Sequence, residues 1–320
     1  MQMKIERLLF AIATFIPGVT SLRVTSTGGT DNARYCYSVW LRHLVLAHQN
    51  NLCTVPPPVV AELGPGDSLG IGLAALLSGV DLYYGLDVVN YAAHQRNISI
   101  FNELVELFRQ RAPIPGGSEF PQIKPYLDSH DFPLRILTED RLRVALAEDR
   151  ITQIRHSLAH PNVKDALIKY VVPWYSVDAI QRASVDMIFS QAVLEHVDDL
   201  PGTYQAMAAW LKPNGFMSHQ IDFRCHGTAG EWNGHWTYSD WYWRLMRGKR
   251  AYLINRQPYS THTRLLQETG FKVVGVKKVE TPSKIGPEKL ASRFRNMSYT
   301  DLTISGAFIQ TRQVSHSNGF

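Results

Sequence analysis

The chain has 320 residues, of which 45% are hydrophobic and 19% charged, and its formal net charge is +5. This composition excludes extensive disorder and provides enough apolar residues to bury a sizeable core. The basic residues are scattered, which disfavours a nucleic-acid partner, because nucleic-acid binders usually carry a dense basic stripe. Three irregularly spaced cysteines with no CxxC pair predict reduced thiols and no structural zinc site.

Residues 1–58 are predicted to form an N-terminal helical extension. The apolar run Leu8–Ile16 is too short to cross a bilayer, so we expect no transmembrane segment. This run would pack on the main domain or make a peripheral membrane contact. Tyr35–His48 has apolar residues at helical spacing, and three prolines at 56–58 then end the helical region. With no signal-type cleavage site after the apolar run, a cytoplasmic location is expected.

From residue 59 onward, strand patterns alternate with helix patterns. The predicted strands are Val59–Leu63, Asp81–Val88, Ile168–Trp174, Val185–Ser190, Phe216–Phe223, Lys272–Val279 and Thr303–Arg312. The predicted helices between them are Ser68–Ser78, Ile98–Arg109, Pro201–Leu211 and Thr263–Thr269. This alternation predicts an α/β domain over 59–320, with a seven-stranded, mostly parallel sheet and helices on both faces. A helical insertion at about 110–165, with a helix over Glu139–Leu158, is predicted to form a lid or a dimerisation element.

A glycine-rich segment, Glu62–Gly70, follows the first predicted strand and begins a helix. Glycines allow a tight turn and close approach of a ligand, and we expect the helix N-terminus to present free N–H groups. Asp87 ends the next strand, where a carboxylate can accept hydrogen bonds from ribose hydroxyls. The segment could hold either NAD or S-adenosylmethionine. Leu69 stands where a dinucleotide fingerprint has its third glycine, which disfavours NAD.

Four segments in the expected order resemble class I, Rossmann-like S-adenosylmethionine-dependent methyltransferases. They are similar to motif I, the fourth strand and its turn, the fifth-strand region, and the step from helix to sixth strand: Glu62–Gly70, Val185–Val197, Trp210–Asp222 and Leu265–Val274. Ala33–Leu44 and Ile221–His226 also resemble a bacterial subgroup linked to sugar and surface-glycan pathways. The resemblance implies S-adenosyl-L-methionine as cofactor and S-adenosyl-L-homocysteine as product.

The resemblance also implies roles for individual residues. The motif I positions that would surround the methionine part of the cofactor are Glu62, Gly64, Pro65, Gly66, Asp67 and Ser68. Asp87 would bind the ribose, and Gln191 would lie beside the sulfonium. Trp174 is a candidate neighbour of the adenine, with a plain core position as the alternative.

Methyl transfer to a hydroxyl group requires a base near the carboxyl ends of the strands. His226 is the first candidate, with Asp222 to orient it, and His196 and His235 are alternatives. Asp222, His226 and His235 could also bind a divalent metal, but their spacing matches no firm metal motif, and we predict no metal site. The aromatic stretch Trp232–Trp243 lies in a predicted lid at about 226–250.

The predicted acceptor is a small molecule or glycan, with a sugar hydroxyl favoured. The turn Ser190–Val193 lacks the Asn/Asp-Pro-Pro-Tyr/Phe sequence of nucleic-acid amino-methyltransferases. A non-catalytic cofactor-binding protein with the same fold is the main alternative, and a nicotinamide oxidoreductase is a weaker one. A homodimer is compatible with the sequence.

Overall fold

The fold is described from a computed structural model, which covers residues 29–174, 176–250 and 253–314. The apolar run Leu8–Ile16 lies outside these residues. Within them, no helix combines the length and apolarity needed to cross a membrane.

A single seven-stranded sheet forms the centre of the described structure. Its strands are β1 (Val59–Leu63), β2 (Leu82–Leu86), β3 (Ile168–Val171), β4 (Val185–Gln191), β5 (Leu211–Asp222), β6 (Phe271–Glu280) and β7 (Ile304–Gln313). Their order is β3-β2-β1-β4-β5-β7-β6, and β7 runs antiparallel to both of its neighbours. This arrangement confirms the predicted mostly parallel, Rossmann-like sheet.

Helices cover both faces of the sheet. They are α1 (Ala33–Gln49), α2 (Gly70–Leu77), α3 (His94–Arg109), α4 (Glu139–Ala145), α5 (Glu148–Ala159), α6 (Leu200–Trp210), α7 (Asp240–Arg247), α8 (Tyr259–Glu268) and α9 (Tyr299–Thr303). On one face of the sheet, the five helices from α1 through α5 pack in one hydrophobic core. On the other face, α6 and α8 pack in a second core. Two smaller aromatic clusters lie in the segments that follow β5 and β6.

Helix α1 belongs to the main core, although it lies within the predicted N-terminal extension. Asn32 caps it by accepting a hydrogen bond from the backbone N–H of Tyr35. The fully buried Trp40 packs against Phe189 of β4, with ring centroids 5.6 Å apart. Truncating a buried tryptophan to alanine costs about 3–5 kcal/mol of stability, so α1 contributes strongly to the free energy of unfolding.

Two sequence predictions were wrong in detail. The single helix Glu139–Leu158 is instead two helices, because Ala147 is extended and Glu148 begins a new helix whose N-terminus favours acidic residues. Strand β5 begins at Leu211, not Phe216, and includes residues 212–215, which lie between the predicted helix Pro201–Leu211 and the predicted strand. Its pairing with β4 shifts register there, between the pairs Val185–Leu211 and Met187–Phe216.

Candidate active site

The glycine-rich loop lies between β1 and α2, as the sequence predicts. Gly64 and Gly66 have φ angles of 65° and 73°, a left-handed conformation that favours glycine. A Cβ atom on Gly64 would lie 2.7 Å from Cγ2 of Val193, in the turn after β4. The loop and this turn therefore approach each other closely at the carboxyl ends of β1 and β4.

The N–H groups of the loop bind other parts of the protein. Four backbone N–H groups donate to side-chain oxygens. Gly66 donates to Asp87 Oδ2 at 3.2 Å, and Asp67 donates to Thr30 Oγ1 at 2.9 Å. Leu69 donates to Asn97 Oδ1 at 2.9 Å, and Gly70 donates to Ser68 Oγ at 3.0 Å. The expectation that these N–H groups are free was therefore wrong. An anionic phosphate needs such donors at a helix N-terminus, so this loop is poorly suited to a pyrophosphate.

The residues around Thr30 and Arg96 cover the end of the loop. Pro65, Asp67 and Ser68 are all buried. The Ser68 hydroxyl donates to the Thr30 carbonyl, and Arg96 Nη1 donates to the Asp67 carbonyl at 3.0 Å. Gly64 is the loop residue that stays partly exposed, on the side that faces β4.

Glu62 lies beneath α2. Its side chain is buried, and the Tyr83 hydroxyl donates a hydrogen bond to its Oε2 at 2.7 Å. Burial raises the pKa of Glu62 to about 8, although the hydrogen bond from Tyr83 acts in the opposite direction. The Tyr83 ring occupies the space where a Cβ on Gly72 would lie. The Glu62–Tyr83 pair thus supports the helix from the sheet side.

Asp87 connects the end of β2 to the loop. It accepts hydrogen bonds from the backbone N–H groups of Gly66 and, at 2.7 Å, of Val88. Burial raises the pKa of Asp87, against the effect of these donors. The neighbouring Trp174 donates its backbone N–H to the Asp87 carbonyl, while its ring packs edge-to-face on Trp210 at 5.5 Å. The Trp174 side chain is therefore partly committed to the core.

The turns after β4 and β5 bring the predicted catalytic residues together. Gln191, at the end of β4, donates to Gln220 of β5 at 3.4 Å. The His196 and His226 rings lie 5.0 Å apart, and His226 Nε2 is 3.4 Å from Asp222 Oδ2. The His226 side chain is 30% exposed, so a bound molecule could reach it.

Asp222 is held as a carboxylate. Burial alone would raise its pKa, but hydrogen bonds from His226 and Arg224 outweigh this and hold the pKa of Asp222 below its usual range. Arg224 Nη2 donates to Oδ2 at 2.6 Å, and Nε also contacts the carboxylate. Asp222 can therefore orient the His226 ring.

The backbone around these turns is unusual. His226 itself has a φ of 43°, and Ala192 in the turn after β4 has a φ of 54°. Left-handed residues other than glycine cost of order 1–3 kcal/mol and concentrate at functional sites. Five other described residues share this conformation, so it is not confined to these two turns: Asn51, Arg111, Asn162, Ala183 and Arg256.

His235 differs from the other candidate bases. It is 1% exposed, and its ring lies 4.7 Å from that of Trp236. Burial, together with the nearby Arg256 cation, lowers the pKa of His235 to about 3. Arg256 donates to the Tyr238 carbonyl at 2.7 Å and to Asp240 at 2.6 Å, which fixes the aromatic segment. His235 is thus a weak base in a packed structural cluster.

Three residues at this edge were not predicted as site residues. Thr30 and Asn97 bind the loop from distant parts of the chain, and no local motif marks either one. Glu195 is 3% exposed and its Oε1 accepts the Asp222 N–H at 3.3 Å. Burial raises the pKa of Glu195 well above its ordinary value. The sequence already places Glu195 after the fourth strand, directly before His196, but only His196 of this pair was predicted as a base.

Comparison with known protein families identifies a domain in this sequence. A family model described as a methyltransferase domain matches residues 73–276, which is more than half of the chain. In a search of curated proteins, nothing matches.

Several solved structures are similar at low identity. An S-adenosylmethionine-dependent methyltransferase from Mesorhizobium loti is 13% identical, with 85% of this chain and 98% of that chain covered and a TM-score of 0.41. A putative sarcosine dimethylglycine methyltransferase from Galdieria sulphuraria is 13% identical, with 86% and 85% covered and a TM-score of 0.45. Phosphoethanolamine N-methyltransferase 2 from Haemonchus contortus is 14% identical, with 86% and 53% covered and a TM-score of 0.42.

These identities and TM-scores are too low to support any statement about substrates. The family match does not depend on them, because it is made to the sequence and spans the region from α2 to β6. The chain belongs to the methyltransferase-domain family.

Proposed function

We propose that this methyltransferase domain uses S-adenosyl-L-methionine to methylate a hydroxyl oxygen of a small molecule or glycan, with His226 as general base. The observation that carries the proposal is the His226–Asp222 pair, with 3.4 Å between Nε2 and Oδ2, at the carboxyl edge of the parallel sheet. Ligands of α/β proteins bind at this edge.

The loop residues fit an adenosine-containing cofactor. Gly64 is the partly exposed residue of the loop, so a ligand can reach its backbone, while Val193 packs on the side where a Cβ would lie. Asp87 supplies a buried carboxyl group at the end of β2, the usual partner of ribose hydroxyls. Because the loop N–H groups are already bonded, the site suits a ligand without phosphates better than NAD. Gln191 remains our proposed neighbour of the sulfonium.

S-adenosylmethionine supplies an activated methyl group on a positively charged sulfur. The chain has to align the acceptor with it and remove the acceptor's proton. His226 can accept that proton, and Asp222 would stabilise the resulting imidazolium through the contact that already exists. His196 is the alternative base because its ring lies 5.0 Å from that of His226. His235 is disfavoured by burial and by a pKa of about 3.

A sugar acceptor is supported by the aromatic segment after β5. Trp241 lies on α7 with its side chain 71% exposed, and an exposed indole can stack on the apolar face of a sugar ring. The other tryptophans of the stretch pack in the aromatic clusters and stabilise this lid. Trp241→Ala should therefore raise KM for a sugar acceptor while leaving cofactor affinity unchanged.

The second candidate function is cofactor binding without turnover. It is favoured if the protein binds S-adenosylmethionine but methylates nothing, and the strong burial of Glu195 beside the proposed base is compatible with a structural role for that turn. A nicotinamide oxidoreductase is the third, and the bonded loop N–H groups count against it.

Calorimetry and a methyl-transfer assay would separate these functions. The protein is titrated with S-adenosylmethionine, S-adenosylhomocysteine and NAD, and then assayed with radiolabelled cofactor against sugars, catechols and amines. We expect binding of the first two ligands and transfer to a hydroxyl acceptor. Binding of NAD alone would contradict the proposal, and transfer only to amines would contradict the oxygen acceptor.

A further inference from the structure

Glu195, His196 and His226 converge on one point from two different turns. Glu195 and His196 belong to a short 3₁₀ segment after β4, and His226 follows the end of β5. One candidate ligand atom from each of the three side chains lies within 4.8 Å of the other two. Two imidazoles and one carboxylate are a donor set that suits a divalent transition metal.

Glu195 has an oxygen for which the protein supplies no partner. Its side chain is 3% exposed, and while Oε1 accepts the Asp222 N–H, the buried Oε2 accepts no hydrogen bond from any described residue. A buried carboxylate oxygen without a partner is costly. A cation beside Oε2 would satisfy it.

The turn that carries Glu195 is fixed in position. Asn255 donates its backbone N–H to the Glu195 carbonyl at 2.7 Å. The Asn255 side chain donates to the carbonyls of Leu194 and Val197, both at 2.8 Å. The chain therefore clamps the 3₁₀ segment from both ends, which holds a carboxylate and an imidazole in place with little conformational freedom.

We propose that Glu195, His196 and His226 bind a divalent metal ion, with Zn²⁺ as the best match. Three protein ligands, two of them His and one Glu, form a zinc site that keeps a fourth position open. At zinc–ligand distances of about 2.0–2.1 Å, the ligand atoms stand about 3.4 Å apart. Separations of up to 4.8 Å must therefore shorten by up to about 1.4 Å, and His226, on a partly exposed loop, can supply most of that movement.

The charges around the cluster are compatible with a cation. Asp222 contacts His226 from outside the triad and can orient its ring, as carboxylates do for metal-binding histidines. Arg224 is paired with Asp222, so its positive charge is largely neutralised there. Glu195 would supply the negative charge of the cluster when a metal ion displaces its proton, because a metal-binding carboxyl group must be ionised.

The site goes beyond the proposed methyl transfer, because ion binding by these residues does not depend on the acceptor. A His226 nitrogen that binds the ion cannot also accept a proton, so the base role proposed for His226 belongs to the metal-free protein. His226 belongs to both proposals, so their tests use separate measurements. Zn²⁺ affinity tests the site. Cofactor affinity and turnover of chelator-treated protein test methyl transfer.

The experiment titrates the full chain, freed of metal by a chelator, with Zn²⁺ in competition with a chromophoric chelator. We expect one equivalent to bind, and Glu195→Gln and His226→Ala each to weaken binding at least 10-fold. The matched control is His160→Ala, which removes one ring of the exposed His156–His160 pair on and just after α5, with centroids 4.9 Å apart. This control should leave the Zn²⁺ affinity unchanged.

Two results would overturn the site: wild-type protein that binds no Zn²⁺, or both triad variants binding it as tightly as wild type. Thermal unfolding checks each variant, and if Glu195→Gln is unfolded, the His226→Ala titration decides. If the protein binds no Zn²⁺ but still binds cofactor and transfers methyl groups, the metal site is refuted and the methyl-transfer proposal is supported. Zn²⁺ binding in a chain that does not bind S-adenosylmethionine does the reverse.

Discussion

The buried acid beneath α2 gives the sharpest test of the site's electrostatics. The Glu62 side chain is 1% exposed, and the Tyr83 hydroxyl is its side-chain hydrogen-bond donor. Burial raises its pKa from 4.5 to about 8, with the Tyr83 hydrogen bond opposing the shift. The folded protein therefore keeps this proton over a range of pH in which the unfolded chain releases it.

Linkage between proton binding and folding fixes the sign of the effect. A carboxyl group whose folded pKa is raised contributes its full stability below its unfolded pKa, and the contribution is lost as pH rises towards the folded pKa. One pKa unit corresponds to about 1.4 kcal/mol. Glu62 should thus lower the free energy of unfolding by up to about 5 kcal/mol as pH rises from 4.5 to about 8.

Glu62→Gln removes this titration and keeps a side-chain oxygen that can accept the Tyr83 hydrogen bond. The quantity compared is the free energy of unfolding of the variant minus that of wild type. We expect this difference to increase by about 2–5 kcal/mol between pH 5 and pH 8. The measurement is urea unfolding followed by tryptophan fluorescence at pH 5, 6.5 and 8. Other titrating groups, including Glu195, cancel when the two proteins are compared.

The control is Glu119→Gln, because Glu119 is an exposed acid whose pKa is lowered, chiefly by its hydrogen bond with Arg34. That variant should show no gain in stability at high pH. Parallel stability curves for wild type and Glu62→Gln across the pH range would refute a buried, neutral Glu62.

Three further substitutions test the cofactor loop and the base. Asp87→Ala should weaken S-adenosylmethionine binding by about 1–3 kcal/mol, measured by calorimetry, and unchanged affinity would contradict the ribose role. His226→Ala should reduce turnover about 100-fold with near-normal cofactor affinity, and an unaffected rate would remove His226 as base. Gly64→Ala forces a φ of 65° on a residue with a Cβ, which costs about 1–2 kcal/mol, and brings that Cβ to 2.7 Å from Val193. Adding Val193→Ala should restore the part of the lost stability that comes from the steric contact, as measured by chemical unfolding. Full restoration would show that the positive φ of residue 64 has no energetic cost for alanine.

Most strands could be predicted from the sequence because each is an apolar run, or an alternation of apolar and polar residues, bounded by turn residues. For example, β4 extends one residue beyond the C-terminal end of the predicted Val185–Ser190. Strand β6 extends one residue beyond each end of the predicted Lys272–Val279. The start of β5 could not be predicted, because residues 212–215 have the composition of a turn. Leu211, which precedes them, pairs with Val185 of β4, so a tertiary contact sets the start of the strand, and residues 212–215 form the irregularity before the pair Met187–Phe216.

In the site, too, the predicted part is local in the sequence and the unpredicted part depends on tertiary contacts. The loop 62–70 is one continuous segment, so its motif is visible in the sequence. The partners of its N–H groups come from Thr30 before α1 and Asn97 in α3, on either side of the loop in the chain. Nothing in the local pattern around these two residues indicates that they meet the loop, because the contact is set by how α1 and α3 pack on α2.

These contacts change how the motif should be interpreted. In the sequence, Leu69 occupies the position of a third glycine, which disfavours NAD. In the structure, NAD is disfavoured independently by the hydrogen bonds of four N–H donors that are already used within the protein: Gly66, Asp67, Leu69 and Gly70. A pyrophosphate would have to displace those partners, and each lost buried hydrogen bond costs about 1–3 kcal/mol. S-adenosylmethionine has one carboxylate and no phosphate, so it needs fewer of these donors, and the bonding of the loop disfavours the pyrophosphate cofactor more strongly.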